Sequence, residues 1–197
     1  MCRETTTGRV AFWATLALSL TGLTACGGGE RAGGGAQELT RIDACNLMTK
    51  AEVEAALGST VDEPTKHESE QAYGPEGAGR LFTTQCYWSG QLPAAMGLVF
   101  RQSGPGGKQV TSLELASDLN ESLDKAGPDE AALFGDARWD PIDLSGHAAA
   151  ALPIADAGWN IMVREGGRSE IEFTLSVPTR EMGVELARTI LSRLPSP

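Results

Sequence analysis

The stretch that most narrows the fold is GWNIMVREGGRSEIEFTLSV, from Gly158 to Val177. Trp159, Ile161 and Val163 alternate with polar neighbours, Gly166 and Gly167 interrupt, and Ile171, Phe173, Leu175 and Val177 then alternate again. Side chains on a strand point to opposite faces in turn, so each run buries one face and wets the other. Two such runs joined through Gly-Gly read as an antiparallel hairpin, Gly158–Glu165 with Arg168–Val177. A chain carrying that hairpin needs helices or a second sheet to cover its apolar face.

The rest of the chain supplies both strands and helices. Leu81–Ser89 places Phe82, Thr84, Cys86 and Trp88 on one face, and Ala95–Gln102 follows after a turn at Gly90–Pro93. His147–Pro153 reads as a strand of small side chains, with a short strand expected at Ala137–Trp139. Thr49 and Glu52 form the capping pair of a helix over Lys50–Leu57 that Gly58 stops. Gln109–Ala126 carries an apolar stripe at Val110, Leu113, Leu115 or Ala116, Leu119 and Leu123. Thr179–Leu194 buries Met182, Val184 or Leu186, Ile190 and Leu194, and Pro195 ends it. Residues 59–80 and Asp140–Ser145 are polar and read mainly as loops, with a strand start at Val61. Hairpins without βαβ crossovers give the α+β class, an antiparallel sheet with helices packed on one face. Each half is a run of strands followed by a long helix, which leaves open two similar half-domains.

The N-terminus follows different rules. Arg3 and Arg9 precede Val10–Leu23, fourteen residues without a charge. A permanent membrane span needs roughly 20 apolar residues, so this run fits the hydrophobic region of an export signal. Leu23-Thr24-Ala25-Cys26 closes it and resembles a bacterial lipobox. That resemblance implies cleavage before Cys26, a thioether-linked diacylglycerol on its sulfur and a further acyl chain, of the palmitate kind, on its amine. Each buried methylene contributes about 0.8 kcal/mol, so two or more chains hold firmly. The expected organisation is a signal peptide over 1–25, a glycine-rich tether over 26–40 and one domain over 41–197.

Two of the four cysteines are thereby accounted for, Cys2 with the leader and Cys26 with the lipid. Cys45 and Cys86 remain as an even pair in an oxidising compartment and are expected to form a disulfide. Processing also removes Arg3, Arg9 and Glu4, which moves the formal charge from −10 to −11. An acidic body argues against nucleic acid and against adhesion to anionic lipids, leaving the acyl chains as the hold on the membrane.

The phrase DACNLMTKAEVEAALG, a gap and then CYW carry a second resemblance. Asp43, Cys45, Leu47, Thr49, Glu52, Leu57, Gly58, Cys86 and Trp88 occupy the pattern of small lipoproteins common in actinobacteria, whose domain has no known function. Leu133–Trp139 resembles that group's Gly-Leu-Gly-Asp-x-Ala turn but departs at its first glycine. The resemblance implies a lipid-anchored envelope protein with the Cys45–Cys86 bond, and it implies no activity.

Searching for chemistry yields little. His67 and His147 stand apart from any metal-binding spacing, and no Gly-x-Ser-x-Gly elbow exists. Around Gly107-Lys108 the phosphate-loop pattern fails, with Gln102 and Gln109 at its ends. Asp136, Asp140 and Asp143 cluster around Trp139 without the order of a calcium loop. Of Trp88, Trp139 and Trp159, two are expected in the core. No catalytic residue, metal or cofactor is therefore assigned. The expected role is a non-enzymatic binding or accessory module outside the cytoplasm, with a small apolar ligand or an envelope protein as partner. The alternative is an envelope hydrolase using Asp136, Asp140 and Asp143.

Overall fold

The computed structural model describes residues 41–73, 79–90, 95–104, 109–127, 134–155, 157–165 and 170–194. The expectations for the leader, Cys26 and the tether lie outside these residues, as do Gly107-Lys108 and Leu133.

Among the described residues, seven antiparallel strands form one sheet in the order β1-β2-β3-β7-β6-β5-β4. They are β1 (Thr65–Tyr73), β2 (Gly79–Ser89), β3 (Ala95–Ser103), β4 (Asp140–Leu144), β5 (His147–Ile154), β6 (Gly158–Glu165) and β7 (Glu170–Val177). The helices whose two ends both lie among the described residues are α1 (Lys50–Leu57), α2 (Ser112–Asp124) and α3 (Arg180–Arg193), with a 3₁₀ turn at Ala44–Asn46. The α+β class and the antiparallel sheet stand as the sequence indicates.

The helices, however, occupy both faces. Along β5, Ala149 and Ala151 join the core under α1 and α3, whereas Ala148, Ala150 and Leu152 join Leu115, Ala116, Leu119 and Leu123 of α2. The run of four alanines and a leucine is buried throughout because each face of this strand has a helix on it. That double burial is why the segment lacks alternation. The two halves are also not equivalent, since α2 packs on β4 and β5 and α3 on β6 and β7, all strands of the second meander.

Two strands occupy segments expected to be loop. β1 is exposed at every residue. It is an edge strand, held by its backbone ladder to β2, so it needs no apolar alternation. β4 is the opposite edge, five residues containing Pro141, and proline is tolerated where one side of a strand is unpaired. Ala137–Trp139, expected as a strand, has no regular structure. It is instead clamped to α2, where Asn120 Oδ1 accepts from Trp139 N at 2.8 Å and Asn120 Nδ2 donates to Trp139 O at 3.0 Å.

The helix boundaries follow their caps. Thr49 with Glu52 and Thr111 with Glu114 both form complete capping boxes, and Gly58 adopts φ 67° at the end of α1. The second box starts α2 at Ser112, three residues later than expected, and leaves Leu113 70% exposed on the wet side of the helix. In α3 the buried residues are Gly183, Leu186, Ala187 and Ile190, with Met182, Val184 and Leu194 at the margin of the core.

Cys45 and Cys86 form a disulfide with Cα atoms 5.5 Å apart. Around it the segment 41–48 is fastened across the first three strands. Lys66 Nζ of β1 donates to Asp43 Oδ2 at 2.7 Å, Ile42 N donates to Gln102 Oε1 of β3 at 3.3 Å, and Arg41 lies 4.2 Å from the Phe82 ring centre on β2. The bond therefore ties the entry of the domain to the middle of the first meander. Among the described residues no helix is long and apolar enough to cross a membrane.

Candidate functional site

A cleft of about 640 Å³ opens where the N-terminus of α2 meets the ends of β4, β5 and β6. Thr111, Ser112, Asp143, His147, Arg164 and Glu165 are among the residues lining it. Each is placed by local chemistry. Thr111 is held by its capping box, in which Glu114 accepts from Thr111 N at 2.8 Å. The Ser112 hydroxyl donates to Ile142 O at 2.8 Å and accepts from Ala149 N at 3.1 Å. Because Ile142 and Ala149 are cross-strand partners, this one hydroxyl bridges β4 and β5 and seats the start of α2 on them.

The rim of the cleft is a tight turn. Ser145 at φ 56° and Gly146 at φ 96° link β4 to β5 through the two left-handed residues that a type I′ hairpin requires. Asp143 Oδ1 accepts from Ser145 N at 2.9 Å, which fixes the carboxylate beside its own turn. Across β5 and β6, His147 Nδ1 meets the Glu165 carboxylate, with both side chains partly exposed. Arg164 donates to Glu172 Oε2 from Nε at 3.2 Å and from Nη2 at 2.8 Å, and Arg101 reaches the other carboxylate oxygen at 3.0 Å. The cleft thus mixes donors and acceptors that are already engaged with one another.

Its lining is predominantly polar. Among the described residues the gathered metal-ligand types are Asp43, Cys45 and Cys86, and both sulfurs are consumed by the disulfide. Among the described residues, His147 and Glu165 are joined by no third such group. Among the described residues, the large apolar side chains exposed to solvent are Tyr73 on β1 and Leu113 on α2, which sit on separate elements.

The carboxylates singled out from the sequence are scattered. Asp136 lies in a turn, and Asp140 and Asp143 are three apart on β4, so they leave opposite faces of the strand. Asp143 alone of the three lines the cleft. Trp88 and Trp139 are buried in separate clusters and Trp159 packs at the margin of the first, so the tryptophans form core and not a groove. His67 lies on the exposed β1 strand, with its ring edge-on to Tyr87.

Sequence reading missed Ser112, Arg164, Glu165 and Glu172. A Thr-x-x-Glu signal at Thr111–Glu114 was available to place Ser112 at the first helical position. The Arg164–Glu172 pair was hidden by register. A two-residue Gly-Gly turn would oppose Glu165 to Arg168, but the ladder pairs Glu165 with Ile171 and so brings Glu172 opposite Arg164. Comparison of the chain with protein-family models, curated proteins and solved structures gives no match.

Proposed function

We propose that this protein is a lipid-anchored module of the cell envelope that binds a polar ligand or an envelope partner and carries out no catalysis. The observation that carries the reading is the Cys45–Cys86 bond, which suits an oxidising compartment, found downstream of a lipobox-like Leu23–Cys26. Acylation of Cys26 would hold the domain at a membrane surface, with residues 26–40 as the spacer. This is also what the resemblance to small actinobacterial lipoproteins implies. The cleft at the head of α2 supports the binding half of the proposal, and its polar lining favours a polar ligand over the small apolar one left open by the sequence.

A hydrolase built on Asp136, Asp140 and Asp143 gains no support, because a carboxylate pair must face each other across a cleft, whereas Asp140 and Asp143 leave opposite faces of β4 and Asp143 alone lines the cleft. The test of the anchor is fractionation of cells expressing the full chain and its Cys26→Ser variant. Wild type is expected in the membrane fraction and released only by detergent, and the variant in the released or soluble fraction. Identical distribution of both would overturn the anchor.

A further inference from the structure

Among the described residues, one face of the sheet is only half covered. On the side where α2 shields Ala148, Ala150, Leu152 and Met162, no described helix packs extensively on β1, β2 or β3. Registers place the remaining residues of that face in transverse rows. Tyr87, Gly97, Ser176 and Asn160 form one row, and Thr83, Arg101, Glu172 and Arg164 form another. Arg164 also lines the cleft, so cleft and open face are continuous.

The geometry points to this open face as a binding platform for a neutral, hydroxyl-rich glycan chain, a proposal that deepens the binding-module reading and rests on it. Three features select that ligand. The first is hydrogen-bonding capacity. Tyr87 OH donates to Gln85 Oε1 at 3.0 Å and Ser176 Oγ to Asn160 Oδ1 at 2.8 Å, which orients both amides and leaves their NH₂ groups as fixed donors. The second is a ring set against the sheet. Gly97 leaves a gap between Tyr87 and Ser176, and the Tyr87 ring leans over it, 3.4 Å from where a Cβ would stand. An amphipathic ring held at a polar surface supplies the apolar contact that sugar C–H groups accept.

The third is charge. Arg101 and Arg164 share Glu172, and Glu170 lies in the next row opposite Ser103, so the face is locally neutral. Set in a chain of formal charge −10, it offers nothing to attract a polyanion. Area excludes a second copy. Five strands at about 4.8 Å spacing and seven residues at about 3.4 Å rise give a face of roughly 19 by 20 Å. That is well below the approximately 800 Å² per partner of a stable protein interface.

The test is titration of the full chain, purified from membranes in detergent, with two probes, maltopentaose and N-acetylchitopentaose, followed by calorimetry or NMR. We expect saturable binding of at least one probe, weakened about tenfold by Tyr87→Ala and by Asn160→Ala, each the loss of one good contact. Arg188→Ala, on the exposed side of α3, serves as the unaffected control. Intact disulfide mass and an unshifted unfolding curve show that each variant is folded. No saturable binding of either sugar, binding indifferent to both face substitutions, or capture of a capped extended peptide in place of sugar would each overturn the proposal. Failure here leaves the fractionation result for Cys26→Ser standing, and an unanchored protein that still binds sugar would overturn the anchor alone.

Discussion

Replacing both Cys45 and Cys86 by alanine should remove a large share of the domain's stability. The bond joins residues with a sequence separation of 41. Closing a loop of that length withholds about 13 cal/mol/K from the unfolded chain, or about 4 kcal/mol at 25 °C. The native state loses little else, because Asp43–Lys66, Ile42–Gln102 and Arg41–Phe82 still tie the segment across the sheet. Cys86 is fully buried, so a small cavity adds to the cost. For a domain of this size each kcal/mol is about 2–4 °C, so Tm should fall by roughly 8–16 °C. Urea unfolding followed by tryptophan emission is a suitable assay, since Trp88 is 1% exposed and two residues from Cys86. Reduced wild type should unfold close to the double variant, which separates the cross-link from the lost sulfur packing. A destabilisation below about 1 kcal/mol would refute the reasoning, because it would mean that the bond restricts no unfolded-state freedom.

Other substitutions probe the layers around the sheet. Gly183 lies where α3 crosses β6 and β7, and an added Cβ would press on Ile161 and stand 2.8 Å from Val177 Cγ2. Gly183→Ala should therefore destabilise by about 1–2 kcal/mol in urea despite alanine's better helix propensity, and a more stable variant would contradict the packing. Asn120→Ala removes both partners of the buried Trp139 backbone and should cost about 1–3 kcal/mol, with faster amide exchange at Trp139 as the local readout. Glu52 is held near a pKa of about 2 by the Arg193 guanidinium and by the Thr49 cap. Its folded pKa is depressed, so its contribution is present above about pH 4.5 and is lost as pH falls toward 2. Wild type should exceed Glu52→Gln by about 1 kcal/mol or less at pH 6, since the pair is a third exposed, and the gap should close near pH 2. A gap that persists unchanged at low pH would contradict the assignment.

How much of this was legible in the sequence depends on which residues needed burial. Lys50–Leu57, with its cap at Thr49 and stop at Gly58, was fully specified because its end signals are local hydrogen bonds. The alternation of β2 and β7 was equally plain, because each buries one face, and β6 kept its period at Trp159, Ile161 and Val163 although Met162 is buried on the other face under α2. β1 was not, because an edge strand with both faces wet has no apolar period to read. β4 was masked by Asp140, Pro141 and Asp143, although Ile142 and Leu144 carry the period of two. The second helical layer was hidden in Ala148–Leu152, where small side chains buried on both faces look like a run with no direction. The polar cleft was the least legible feature. Its members come from α2, β4, β5 and β6, and a hairpin register three residues away from the expected one decides which charges meet.

The most direct measurement is the intact mass of the protein isolated from cell membranes, with thiols counted before and after reduction. The account predicts a chain that begins at Cys26, carries the added mass of diacylglycerol with or without an amide-linked acyl group, and gains two thiols only on reduction. A chain still beginning at Met1, or one with Cys45 and Cys86 already free, would contradict it.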